Sequence, residues 1–336
     1  MLNEFRQDMI SGEWVLFATG RAKGHLGEKR EKLYQPKEEC PFENPFASNG
    51  EPVVVFNQGS VVQWAPGKAW TTVVIPNKYP ALQHGICGDL LNVGPFQKAE
   101  AYGFHEIVIT KDHDRHFAHF SNGETAEVLS AYQHRYEAMV KDSCGKYVLV
   151  FHNHGYSAGA TIYHNHSQIL SLPFIPPGIA TSLGSANDYY HKLGKSIFEV
   201  MLDWEIKEGK RIVYQNELFV VFCPFASRTP YELRIFPLKD DTQFGSLSPE
   251  QVTLLADALN QILKKLDKCL DDPDYNFYIH SRPIGHDPVH QADYRWHIEV
   301  VPRLSVIASV ELGTNVYVNV VDPDEAAQAL RNTVIE

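Results

Sequence analysis

Residues 151–168 read FHNHGYSAGATIYHNHSQ, which places His152, His154, His164, His166 and Gln168 in one short stretch. A strand over 163–172 would set His164, His166 and Gln168 on one face, because successive strand side chains point to opposite sides. Two imidazoles and a carboxamide then stand beside a loop containing Gly155, Ala158, Gly159 and Ala160. That combination suits phosphate chemistry. Small loop residues let backbone N–H groups approach an anion closely. A neutral imidazole oriented through one ring nitrogen can attack phosphorus with the other, while a second His and a Gln orient it and hold charged oxygens. A hydrogen-bonded surface row of histidines without chemistry fits the same spacing, so the pattern alone leaves both readings open.

Such a row needs sheets to carry it, and the chain supplies the means twice. Strand-like runs at 72–76 and 105–109 precede a helical stretch over 124–141, then strands at 147–151 and 163–172. In the second half, runs at 218–222 and 231–236 precede a helix over 249–270, then strands at 275–280 and 296–301. The order strand, strand, helix, strand, strand recurs, which predicts an α+β fold of two similar units. Val252, Leu255, Leu259, Ile262 and Leu266 step by three or four and share one helix face. Ser248-Pro249-Glu250-Gln251 opens that helix as a capping box with Pro in the first turn. Leu129, Tyr132, Tyr136 and Val140 repeat the stripe in the first half. Both stripes are expected to be plain core. Prolines and glycines at 173–184 predict a break in regular structure and a seam, dividing the chain into units 1–178 and 179–336. The charged stretch 24–39 is expected to be a solvated, mobile loop.

At 336 residues, with 44% hydrophobic and 21% charged, the chain has room for two domains. Disordered, collagen-like and coiled-coil classes are excluded. A net charge of −11 argues against a nucleic-acid or acidic-membrane partner, though a local basic pocket could still take a small anion. No apolar run approaches the roughly 18 residues of a membrane span, and residues 1–8 resemble no secretory signal. Five scattered cysteines, Cys40, Cys87, Cys144, Cys223 and Cys269, predict reduced thiols and a cytoplasmic location. P-loop, dinucleotide-binding and zincin motifs are absent from the sequence.

His164-Asn165-His166-Ser167-Gln168 resembles the H-x-H-x-Q motif of the galactose-1-phosphate uridylyltransferase branch of the histidine-triad superfamily. Trp14-Val15-Leu16 with Arg21 resembles that family's N-terminal strand and substrate arginine. The segment 76–82, PNKYPAL, resembles its nucleotide-contacting segment, and Asp112-His113 its metal-ligating D-H. Glu311-Leu312-Gly313-Thr314 resembles the C-terminal part, particularly that of ADP-glucose phosphorylase-like members. The resemblance implies two histidine-triad-like repeats, each an antiparallel sheet with packed helices. It also implies a homodimer in which both subunits complete the site.

The reaction implied is a double displacement. His166 attacks the α-phosphorus of a nucleoside diphosphate sugar, a covalent nucleotidyl-histidine forms, and a sugar 1-phosphate or phosphate then accepts the nucleotidyl group. By the same resemblance Gln168 donates to a phosphoryl oxygen and His164 completes the catalytic group. Arg21, Asn77, Asn153, Gly159, Thr161 and Glu311 match substrate-binding positions. The family's Cys-x-x-Cys zinc motif is altered here, since Cys40 is followed by Glu43. Cys40, Glu43, His113 and His164 could still hold structural zinc; loss of the metal is the alternative. The iron-site counterpart near His280, His297 and Glu299 is incomplete, so no iron is expected. The family's acceptor-binding Lys is missing from 304–310. Transfer to galactose 1-phosphate comes first by family weight, with a phosphorylase next and a non-catalytic nucleotide-binding protein as the rival from another class.

Overall fold

A computed structural model describes residues 3–24, 32–49, 51–85, 87–88, 91–239, 243–285 and 294–335. The first half contains β1 (Glu4–Gln7), β2 (Trp14–Phe17), α1 (Phe46–Asn49), β3 (Val54–Asn57), β4 (Ser60–Val62) and β5 (Thr72–Pro76). A small hairpin, β6 (Leu91–Val93) and β7 (Phe96–Lys98), follows, then β8 (Phe104–Thr110), α2 (Asn122–Val140), β9 (Tyr147–His154) and β10 (His166–Leu172). The second half contains α3 (Pro177–Leu193), α4 (Ile197–Glu208), β11 (Ile212–Gln215), β12 (Phe219–Phe222), β13 (Leu233–Pro237) and α5 (Pro249–Leu270). It ends with β14 (Tyr275–His280), β15 (His297–Pro302), α6 (Ser309–Thr314), β16 (Tyr317–Asn319) and α7 (Pro323–Asn332).

Eleven strands form one sheet in the order β11-β12-β13-β15-β14-β9-β10-β8-β5-β3-β4, and every neighbouring pair in it is antiparallel. Outward from the β9–β14 pair, β9-β10-β8-β5 on one side mirrors β14-β15-β13-β12 on the other. In each half the helix lies between the second and third strands of the unit. The internal repeat is therefore a repeat of topology. β16 lies parallel to β2 and closes a separate three-stranded sheet with β1.

Both long helices cover one face of the large sheet. Val252, Leu255, Leu259, Ile262 and Leu266 of α5 are buried with Leu129, Tyr132 and Tyr136 of α2, against Val108, Val150, Ile169, Phe277 and Ile298. Ser248 and Gln251 cap α5 reciprocally, and Ser121 and Glu124 do the same for α2. On the opposite face of the first half, Cys40, Phe42, Val55, Val73, Ile75, Ile107 and Ile109 form a second core. Because strands alternate, one strand can bury Ile169 among the helices and turn His166 the other way.

Three expectations need correcting. The last strand of the first repeat begins at His166 rather than Tyr163, so His164 lies on the bend before it and does not share a strand face with His166 and Gln168. The break expected over 173–184 is confined to 173–176: α3 runs through the rest from Pro177, because Pro suits a first helical turn as well as it stops a strand. Cys87 and Cys144 are joined in a disulfide across 57 residues, with Cα atoms 5.4 Å apart, while Cys40, Cys223 and Cys269 are free. An odd count could not reveal that two distant loops meet at bonding distance. Of the charged stretch, 25–31 lie outside the described residues. Among the described residues no helix is long and apolar enough to cross a membrane.

Candidate active site

His166 opens β10 and is 9% exposed. Its Nδ1–H donates to the backbone carbonyl of His164 at 2.8 Å, so the lone pair resides on Nε2, for which no hydrogen-bond partner is seen among the described residues. Burial pushes its pKa below the ordinary imidazole value; the His164 carbonyl pulls the other way and the His164 ring adds a small downward push. The ring is therefore neutral at pH 7. Phe42 meets it edge-on, with centroids 5.1 Å apart. His152 lies on the other side of the sheet, stacked on Phe277 at 5.0 Å, and donates from Nδ1 to the His166 carbonyl at 2.8 Å.

Two residues along β10, Gln168 is held by a residue that no sequence motif marks for chemistry. His105 on β8 pairs with Leu170, which makes it the diagonal neighbour of Gln168. Its Nδ1 accepts the Ala81 N–H at 3.0 Å, so the proton sits on Nε2 and is donated to Gln168 Oε1 at 2.7 Å. With its carbonyl engaged, the amide of Gln168 presents N–H groups. Asn77 belongs to the same cluster: its backbone N–H donates to the His105 carbonyl at 2.9 Å, and its Oδ1 accepts the Tyr79 N–H at 2.9 Å. Histidine beside the end of a strand is a weak sequence signal. Only the β8–β10 register gives it meaning.

Asn153 accepts from Asn276 of the second repeat at 2.8 Å, and Asn276 also donates to the Ala158 carbonyl at 2.7 Å. Its own Nδ2 faces Gly159, whose φ is +89°. Gly155 has φ +80°, and a Cβ there would collide with the Asp274 carboxylate. Asp274 in turn accepts the Ser157 N–H at 2.7 Å, so the 155–161 turn is tied to the second repeat. Thr161 is exposed at its end. Arg21 and Glu311 lie elsewhere. Arg21 is exposed on the turn Thr19–Gly24, and Glu311 caps its own helix by accepting the Ala308 N–H at 3.0 Å. Neither touches the His166 group among the described residues.

The proposed zinc ligands do come together. Cys40 Sγ is 3.5 Å from His164 Nδ1; Glu43 Oε1 is 3.2 Å from His113 Nδ1 and 3.6 Å from His164 Nδ1. His113 donates through Nε2 to the Gln35 carbonyl at 2.7 Å, and His164 to the Thr110 carbonyl at 2.6 Å. Both rings are thus fixed with Nδ1 turned inward, the outer support expected of metal-ligating histidines. Glu43 Oε1 and His113 Nδ1 are buried without a hydrogen-bond partner. Orphaned acceptors beside a buried thiol fit a cation, and one sulfur, two nitrogens and an oxygen suit zinc.

The second repeat carries a counterpart. His297 donates from Nδ1 to the Arg295 carbonyl at 3.1 Å, as His166 does to His164. Glu299 stands where Gln168 stands, and Arg295 lies 3.9 Å from Glu199 where His164 lies beside Glu43. Glu299 accepts from Arg228 and, at 3.0 Å, from His280. Arg234 donates to Asp8 at 2.7 Å and lies 3.5 Å from Glu299.

Residues 2–176 match the family described as galactose-1-phosphate uridyl transferase, N-terminal domain, and residues 97–336 match a domain of unknown function, DUF4921. ADP-glucose phosphorylase of Arabidopsis thaliana is 30% identical over 331 residues, covering 98% of this chain and 92% of that protein. Galactose-1-phosphate uridylyltransferase of Thermotoga maritima is 28% identical over 343 residues, covering 99% of each. The crystal structure of an ADP-glucose phosphorylase from Arabidopsis thaliana with bound ADP-glucose is similar with a TM-score of 0.81 and 27% identity over the whole of both chains. These homologues are nucleotidyltransferase and phosphorylase enzymes. Motif, sheet order and full-length similarity agree: the chain belongs to the galactose-1-phosphate uridylyltransferase family of the histidine-triad superfamily, in the branch that includes ADP-glucose phosphorylase.

Proposed function

We propose that this protein moves the nucleoside monophosphate of a nucleoside diphosphate hexose to a phosphate-bearing acceptor, carrying it on His166. The observation behind this reading is the His166 ring, neutral and held through Nδ1 so that Nε2 keeps its lone pair. Nε2 bonds to the α-phosphorus, the bond from that phosphorus to the bridging oxygen breaks, and hexose 1-phosphate leaves with the electron pair. An acceptor phosphate oxygen then attacks phosphorus, and the P–N pair returns to Nε2. No proton has to leave the nucleophile. Gln168 donates its amide N–H to a phosphoryl oxygen in both steps, and His105 holds it in that orientation.

In this reading Asn153, Gly159 and Thr161 line the nucleotide phosphates, and Asn77 sits with the nucleotide. The units 1–178 and 179–336, whose boundary falls in the first turn of α3, are read as the two histidine-triad-like repeats, with the chemistry in the first. Arg21 and Glu311 stand apart from His166 within one chain, which favours a homodimer where a second copy supplies such residues. Zinc on Cys40, Glu43, His113 and His164 would be structural: it would fix His164, whose carbonyl aims His166.

Inorganic phosphate is the favoured acceptor, since 304–310 lacks a Lys to hold a hexose 1-phosphate and the relative at 30% identity is a phosphorylase. Galactose 1-phosphate is the second reading, favoured by the uridyl transferase match. Incubation with α-labelled ADP-glucose or UDP-glucose tests both. Label should become attached to protein as hexose 1-phosphate is released, and phosphate should discharge it faster than galactose 1-phosphate. Tight nucleotide binding with no protein-attached label would overturn the transfer reading in favour of a binding protein.

A further inference from the structure

A second group of metal-ligating side chains lies where the two repeats meet, outside the Cys40 cluster and sharing no residue with it. His116 precedes the short turn Phe117–His119 of the first repeat, and His154 ends β9. Asp272 comes from the second repeat, just past α5. It follows Asp271, and both residues have positive φ, +59° and +55°. Two consecutive non-glycine residues in this region are uncommon, and here they turn the Asp272 carboxylate toward the two rings.

The spacing is that of ligands before a metal draws them in. His154 Nε2 is 2.8 Å and His116 Nε2 3.7 Å from the same oxygen, Asp272 Oδ1. One ligand atom from each of the three lies within 4.8 Å of the others, whereas tetrahedral zinc sets its ligand atoms about 3.3 Å apart. Small side-chain rotations close that gap. The other carboxylate oxygen, Oδ2, is engaged by Lys32 at 2.9 Å, which leaves Oδ1 for the rings. His116 Nδ1 is buried and lacks a hydrogen-bond partner. His119 and Asp267 form a further three-ligand group with His116. The rings of His116 and His154 face a cavity of about 240 Å³ that also reaches Asn153, Tyr163 and Asn165.

We propose that His116, His154 and Asp272 bind a divalent transition-metal ion, zinc by the chemistry of the donors, with its fourth position open to this cavity. Two imidazoles and one carboxylate favour zinc over magnesium or calcium, which prefer oxygen ligands. Two ligands come from the first repeat and one from the second, so the ion would staple the end of the β9–β14 pair, where His154 lies opposite Tyr275. It would also brace the adjoining 155–161 turn. The inference does not depend on the transfer reaction.

Cobalt(II) and zinc titrations of the metal-stripped full-length protein test it. Wild type should take two equivalents per chain: one with a thiolate-to-cobalt charge-transfer band from Cys40, and one with d–d absorption only. Asp272→Asn and, separately, His116→Ala with His154→Ala should lose the second equivalent and keep the charge-transfer band. Cys40→Ser should do the reverse. Asp272→Asn is nearly isosteric and guards against a variant that merely misfolds, as judged by circular dichroism. A wild type without the thiolate-free equivalent, or folded Asp272→Asn protein that retains it, would overturn the proposal.

Discussion

His166 and His297 hold matching places in the two repeats. Each opens the second strand of its hairpin, each is about equally buried (9% and 8% exposed), and each donates Nδ1–H to the carbonyl two residues before it. Their surroundings part company from there. Gln168 is uncharged and oriented by His105, whereas Glu299 is a carboxylate within a buried network containing Arg228, Arg234, Glu232 and Asp8. The His297 ring is stacked on Phe236 at 4.4 Å, nearly parallel; Phe42 only touches His166 by its edge. A carboxylate beside an incoming phosphate repels it, and guanidiniums already paired to acids cannot receive one. The same backbone device thus fits the nucleophile proposed here where its neighbours are uncharged, and does not fit one where they are charged.

The contrast can be broken at several points. His166→Gly should abolish protein labelling and cut transfer by about 10⁴-fold or more, while His297→Gly should leave labelling in place; quantified radiolabel per folded chain decides. Arg234→Met would strand Glu299, Glu232 and Asp8 with less positive charge. Loss of one buried partner costs about 3–5 kcal/mol, measurable as a lower midpoint in urea. Gln168→Glu makes the first repeat resemble the second. It should slow transfer by roughly 10²–10³-fold, as loss of an oxyanion donor does, with the protein as stable as wild type.

The smallest effect is a dependence on pH. Burial, with His280 and Arg234 nearby, depresses the pKa of His297 well below its ordinary value. The unfolded chain therefore takes up a proton near pH 6.5 that the folded chain refuses. Stability should fall as pH drops below about 6.5, by up to about 1.4 kcal/mol per unit from this residue. His297→Gln should flatten that slope in urea titrations at pH 5 and pH 7, and an unchanged slope would remove His297 as its source.

Much of this architecture is legible in residue order. The capping box at Ser248 and Gln251 and the stripe from Val252 to Leu266 give α5 its observed bounds, because cap and stripe are both local signals. The run 275–280 is β14 as observed. The ligand group of Cys40, Glu43, His113 and His164 is found together, although only the family resemblance, and no local pattern, points to it. Features that depend on partners distant in sequence were not legible. His105 acquires its role only when β8 pairs with β10. Cys87 meets Cys144 only after α2 and the segment between β5 and β6 are in place. Asp272 reaches His154 only across the join between repeats. At 173–184 the same prolines could end one element or begin another, and composition does not say which.

The antiparallel pair of β9 and β14 has a mechanical consequence. Its register runs from Tyr275 opposite His154 to His280 opposite Leu149, so rotating one repeat away from the other would tear a ladder at the centre of the sheet. Clamshell movement is closed to this fold. Under the proposed mechanism, shielding of a nucleotidyl-histidine from hydrolysis has to come from shorter excursions of the turns bearing Arg21, Tyr79 and Gly159, or from the surface of another subunit.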